Sequence, residues 1–232
     1  MKKITILFLV ITYSILTSQT KALTEDGQEV VLFENKTWRF VNESDEKTMD
    51  EIVTNNTILT KSANATFLLK SQKLDAGVYF NPKQWKTVKA DISPIAEYTF
   101  QDTTDQSYGV FVSEKAPIQT LKNLKDLIIS NVQKRASFFR LISSEYRTLN
   151  GIKVLFLEYT ANFQGMDFHY LANYYLTEGG YAGIFSYTFE NLFVESKTNI
   201  ENLVNGLVKT EKSKITEVIE TTSPPPPISK KK

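Results

Sequence analysis

Three glycine-bearing turns, Asn150-Gly151, Gln164-Gly165 and Glu178-Gly179-Gly180, divide the stretch from 138 to 189 into four long runs rich in aromatic and β-branched residues. Connections this short can join only antiparallel neighbours, because a parallel pairing needs a crossover of a dozen or more residues. The runs are Phe138 to Thr148, Ile152 to Phe163, Phe168 to Thr177 and Tyr181 to Phe189, and they predict a meander. Four earlier segments also read as strands: Thr66 to Leu69, Val78 to Asn81, Ala96 to Gln101 and Tyr108 to Glu114. Leu121, Leu124, Ile128 and Val132 recur at helical spacing behind Pro117, with Thr120 placed to cap the helix. Ile200, Leu203, Val204 and Leu207 form a second helical stripe. Between Ile152 and Tyr159 both alternating sets are apolar, Val154 and Phe156 against Leu155, Leu157 and Tyr159. A sheet with one wet face alternates apolar with polar, so both faces of this one must be covered. The expected fold class is therefore α+β: an antiparallel β-sheet meander flanked by helices on both faces.

The chain begins Met1-Lys2-Lys3, continues with an almost wholly apolar run from Ile4 to Leu16, and reaches Thr20-Lys21-Ala22 through polar residues. This is the pattern of a secretory leader, with cleavage expected after Ala22 or, alternatively, after Ser18. The apolar run falls short of the ~20 residues a membrane-spanning helix needs. No later segment reads as a span, so the mature protein is expected to be exported and periplasmic or extracellular. The leader and the missing cysteines suit a Gram-negative host.

The stretch from Leu23 to Val41 reads as a small β-hairpin element, with Asp26-Gly27 before Val30 to Phe33, a polar turn, and Trp38 and Phe40 after it. Residues 42–64 are polar and read as a linker. Residues 65–209 form the main domain. Residues 210–232 read as a disordered tail, in which Pro224 to Pro227 and the final Lys230 to Lys232 cannot join a core.

Composition removes several classes of chemistry. There is no cysteine and one histidine, His169, which excludes thiolate nucleophiles, disulfides, Cys-based zinc sites and His-rich metal sites. Lys and Arg total 27 against 26 Asp and Glu, without the concentrated basic excess of a nucleic-acid binder. No catalytic motif, phosphate loop or cofactor fingerprint is visible, so no cofactor, metal or catalytic residue is expected. His169, between Phe168 and Tyr170, reads as a partly exposed strand residue. Glu97, Asp102, Asp105 and Glu114 read as a solvated acidic group, with a calcium site as the alternative.

The richest feature is aromatic. Strand alternation places Phe168, Tyr170 and Tyr174 on one face, and Tyr181, Phe185, Tyr187 and Phe189 on one face of the next strand. Packing beneath a helix is the reading that alternation favours. A ligand cleft or docking surface, formed by Tyr170, Tyr174, Tyr181 and Tyr187 with Trp85, is the alternative.

Certain motifs carry a family resemblance. Tyr79-Phe80-Asn81-Pro82 with Trp85 gives a P-x-x-W pattern. A mid-domain amphipathic helix follows, then the turn Leu149 to Lys153, the Glu158-Tyr159 strand, the pair Tyr174-Tyr175 and a closing helix to Leu207. In this order, over about 77 to 208, the chain resembles the PsbP-like proteins. That family holds the extrinsic subunit of the oxygen-evolving photosystem, a yeast Ran-binding nuclear transport factor and many bacterial proteins. The resemblance implies an α/β/α sandwich and a non-enzymatic module that docks on larger partners. It carries over no photosystem or Ran contact residue. The expected function is an exported binding module that docks on an envelope protein or complex. The alternatives are a small envelope-polymer hydrolase using carboxylates, or a purely structural envelope protein.

Overall fold

The computed structural model describes residues 20–23, 29–32, 36, 38–40, 48–89 and 94–213. The chain divides into two compact units, Met1–Glu46 and Lys47–Lys232. In the first, β1 (Thr20–Leu23), β2 (Glu29–Leu32) and β3 (Trp38–Phe40) form an antiparallel sheet in that order. The two strands read from 23–41 are β2 and β3. The leader expected over 1–22 overlaps β1; residues 1–19, and 214–232 of the expected tail, lie outside the described residues.

The second unit contains β4 (Val53–Leu59), β5 (Phe67–Lys70), β6 (Gly77–Phe80), β7 (Trp85–Val88), β8 (Ala96–Asp102) and β9 (Ser107–Glu114). Helix α1 (Leu121–Gln133) leads into β10 (Phe138–Leu149), β11 (Ile152–Phe163), β12 (Met166–Thr177) and β13 (Gly180–Phe189). A 3₁₀ turn (Glu190–Leu192), α2 (Phe193–Val204) and β14 (Leu207–Val208) close the unit. Eight strands make one sheet in the order β4-β10-β11-β12-β13-β9-β8-β7, and β14-β6-β5 make a smaller one. The meander from β10 to β13 is antiparallel throughout. Its first two turns have positive φ at both central residues, +50° and +79° at Asn150-Gly151, +55° and +83° at Gln164-Gly165. That geometry matches the twist of the strands it joins.

One edge departs from the expected pattern. β4 runs parallel to β10, with Val53 opposite Glu145 and Leu59 opposite Leu149, so the sheet is mixed and not wholly antiparallel. The polar stretch read as a linker thus holds an edge strand. Its residues are mostly exposed, and edge strands tolerate polar side chains because only one side is paired. Polar bonds hold it there: Asn55 Nδ2 donates to Glu145 Oε2 at 2.8 Å, the Asn150 amide to the Leu59 carbonyl at 2.9 Å, and the Lys61 amide to Asn150 Oδ1 at 2.7 Å.

Alternation along the strands feeds two apolar clusters. Val154, Phe156, Phe111 and Ile184 pack with Phe193, Ile200 and Leu203 of α2. Leu155, Leu157, Val110 and Val112 pack with Leu121, Leu124 and Ile129 of α1. Thr120 caps α1 as expected, its Oγ1 accepting the Asn123 amide at 3.1 Å.

Candidate functional site: a tyrosine-lined cleft

Register across the sheet aligns one tyrosine from each of four adjacent strands. Tyr159 stands opposite Tyr170, Tyr170 opposite Tyr187, and Tyr187 opposite Tyr108. Their rings stack in sequence, with centroids 4.7, 5.1 and 5.8 Å apart and interplanar angles of 6°, 28° and 21°. Offset stacking of this kind adds to simple burial, by about 0.5–1.5 kcal/mol per pair. Phe168 continues the surface, stacked on Phe189 at 5.0 Å.

Over this face lies a cleft of about 630 Å³. Tyr159, Tyr170, Tyr174, Tyr181, Phe185 and Tyr187 line it from the sheet, Ile128 and Val132 from α1, and Phe163 and Met166 from the β11–β12 hairpin. Asn131, Arg135, Gln164 and Glu114 add polar groups to those of the tyrosines. Tyr170, Tyr174 and Tyr181 are 8%, 4% and 4% exposed, and Tyr187 is half-buried. Both readings of the aromatic set therefore meet in one place: the rings are packed beneath a helix, and they also line a hollow.

The phenols of this cleft are strong candidates for neutral hydrogen-bond donors. Burial pushes those of Tyr159, Tyr170 and Tyr174 well above the ordinary tyrosine value. Burial, and then Tyr108, push Tyr187 up to about 12. For Tyr181, burial acts first and Glu114 adds to it: the hydroxyl donates to Glu114 Oε2 at 2.7 Å. Among the described residues no hydrogen bond engages the hydroxyls of Tyr170 or Tyr174.

Four of the five residues singled out by sequence thus come together, and Trp85 does not. It is 1% exposed and belongs to the α2-side cluster, because β7 presents it to the other face. Its indole Nε1 is buried without a partner among the described residues. Tyr159 and Arg135 are the residues that sequence reasoning missed. The Gln164-Gly165 turn held the signal for Tyr159, since it sets the register that places it against Tyr170.

His169 also differs from expectation. It is 5% exposed, stacked on Phe193 with ring centroids 3.3 Å apart, and held between two carboxylates. Nδ1 lies 2.9 Å from Glu190 Oε2 and Nε2 lies 3.0 Å from Glu158 Oε1. With both ring nitrogens engaged, neither is available as a general base. The acidic set is not one group either. Asp102 is buried and accepts from Thr104, Gln106 and Ser107, Asp105 pairs with Lys86, Glu97 accepts from Ser113, and Glu114 from Tyr181. Among the described residues no cluster of three metal-ligating side chains occurs, and no helix is long and apolar enough to cross a membrane.

No protein-family model matches the sequence, and no curated protein does. Among solved structures the chain is similar to cyanobacterial PsbP from Synechocystis, at 17% identity and a TM-score of 0.48, over 64% of this chain and 94% of that one. It is also similar to a protein of unknown function from Pseudomonas aeruginosa, at 11% identity and a TM-score of 0.40, over 62% of this chain and 97% of that one. PsbP is the protein for which the family resembled by the sequence motifs is named.

Proposed function

We propose that the chain is an exported, non-enzymatic binding module of PsbP-like α/β/α sandwich architecture. Its tyrosine-lined cleft receives an aromatic or aliphatic side chain of an envelope protein or complex. The observation that carries this reading is the cleft itself. It joins stacked ring faces to hydroxyls of Tyr170 and Tyr174 that have no partner among the described residues. Rigid aromatic surfaces with a polar edge are what recognition sites use for anchoring side chains. A carboxylate-based hydrolase finds less support: among the described residues Glu114 is the single carboxylate lining the cleft, and it already accepts from Tyr181.

The test is photo-crosslinking in the native host from p-benzoylphenylalanine at Met166, on the cleft rim, with Val194 on α2 as control. One envelope protein captured from Met166 and not from Val194 is the expected result. Equal capture from both, or none from Met166, overturns the reading. Export is tested separately by fractionation and N-terminal sequencing. A mature start at residue 19 or 23 outside the cytoplasm supports it, whereas an uncut chain in the cytoplasm sinks it.

A further inference from the structure

A second hollow, of about 810 Å³, lies at the end of the sheet where β12 turns into β13. Among the described residues five lysines border it, Lys73, Lys115, Lys153, Lys209 and Lys212, against two carboxylates, Asp75 and Glu178. In a chain with 27 basic and 26 acidic residues this is a local concentration of charge. The lysines come from four separate places: the β5–β6 loop, the end of β9, the start of β11 and the segment after β14. None of the five ammonium groups enters an ion pair among the described residues. Lys73 Nζ donates to the Ser113 carbonyl at 3.3 Å, and Lys153 Nζ sits 4.4 Å from the Tyr146 ring centroid.

The backbone beneath these lysines is fixed by its own hydrogen bonds. Ser71 is fully buried, and its Oγ accepts the amides of Lys73 and Leu74 at 3.0 and 3.1 Å. The Lys212 amide donates to Asp75 Oδ1 at 3.0 Å and the Ser213 amide to the Ser71 carbonyl at 2.7 Å. The Tyr175 hydroxyl donates to the Asp75 carbonyl. These bonds splice the β5–β6 loop to the segment after β14, so three of the lysines spring from one braced framework. Helix α1 also begins here. Thr120 and Leu121 line the hollow, and the first turn of α1 carries no acidic side chain to complement the positive end of its dipole.

Like charges gathered around a concavity repel one another, and its low-dielectric walls focus their field. An anion relieves both costs. Lysine acts as a compact point charge suited to phosphate oxygens. We infer that this hollow binds a small ligand carrying two or more phosphate groups, whether free in solution or on a lipid head group. The volume accommodates more than a single phosphate, and the lysines reach it from four separate segments.

The test titrates the full chain with sodium tripolyphosphate by calorimetry at physiological ionic strength, with amide shifts recorded in parallel. Saturable binding is expected, with shifts at 73–75, 115–121, 152–153 and 209–212. The double variant Lys73→Gln, Lys209→Gln should weaken it about ten-fold or more, since charge-assisted contacts are lost at two sites. Lys197→Gln, on α2 beside Glu201, should leave it unchanged. All these lysines are exposed, so the variants are expected to keep the wild-type unfolding midpoint. A second arm sediments the protein with phosphatidylcholine vesicles containing cardiolipin, whose head group carries two phosphates. Sedimentation that the double variant abolishes, with tripolyphosphate silent, assigns the phosphate to a lipid. Saturable tripolyphosphate binding without sedimentation assigns it to a free ligand. No binding in either arm overturns the inference, as does equal affinity in the double variant and the wild type.

Discussion

Lys125 buries an ammonium among neutral oxygens. It is 1% exposed, and its Nζ donates to the carbonyls of Glu51 and Thr48 at 3.2 and 3.5 Å and to Ser144 Oγ at 3.4 Å. Desolvation lowers its pKa from the usual 10.5, with Asp126 and Asp50 opposing the shift. The unfolded chain therefore holds this proton to higher pH than the folded one. Stability contributed by this group rises with pH between the folded value and 10.5. Lys125→Met should remove that rise, which urea unfolding of both proteins across the alkaline range would read as a converging difference. The buried phenols act in the opposite sense. Their folded pKa values are raised, so their stabilisation is complete below about 10 and is lost as pH climbs past it. A spectrophotometric titration should show the phenolates of Tyr159, Tyr170 and Tyr174 appearing only as the protein unfolds; their smooth ionisation in the folded state would contradict the burial. Gly183 guards the same face, because a Cβ there would lie 2.1 Å from the Tyr174 ring. Gly183→Ala should lower the melting temperature and weaken capture from the Met166 crosslinker together.

At the scale of elements, local signals were legible and remote ones were not. Thr120 before an apolar stripe marks the start of α1, and Thr120→Ala should cost about 1 kcal/mol, measured by urea unfolding. Asn150-Gly151 and Gln164-Gly165 fix two hairpins, and the register of the second brings Tyr159 against Tyr170. β4 carries no such mark. Val53 to Leu59 is polar and mostly exposed, and becomes a strand only because β10, some ninety residues later, offers it an unpaired edge. Trp85 and the partners of His169 were hidden for a related reason: which face a short strand presents, and what a 3₁₀ turn brings back, depend on packing. The bond from β4 to β10 is testable. Arg147 and then Asn55 hold the Glu145 carboxyl below its ordinary 4.5 against desolvation. The stability this contributes is present above 4.5 and lost as pH falls through the folded value. Asn55→Ala should therefore shift the acid-unfolding midpoint upward, and an unchanged midpoint would count against that bond.

At the scale of the whole molecule, the division at Glu46 sets the expectation for shortened chains. A chain beginning at Lys47 should keep the unfolding transition of the second unit, while one beginning at Thr60 should lose part of it, as circular dichroism melts would show. The shorter form loses more than a strand. Removing Val53 to Leu59 strips the cover from β10 between Glu145 and Leu149, leaving backbone amides and carbonyls pointing at solvent. Such a border invites a second copy to lie against it, and copies then add without limit. The polar segment that brings little to either apolar cluster is thus insulation: it keeps one molecule from becoming the template for the next.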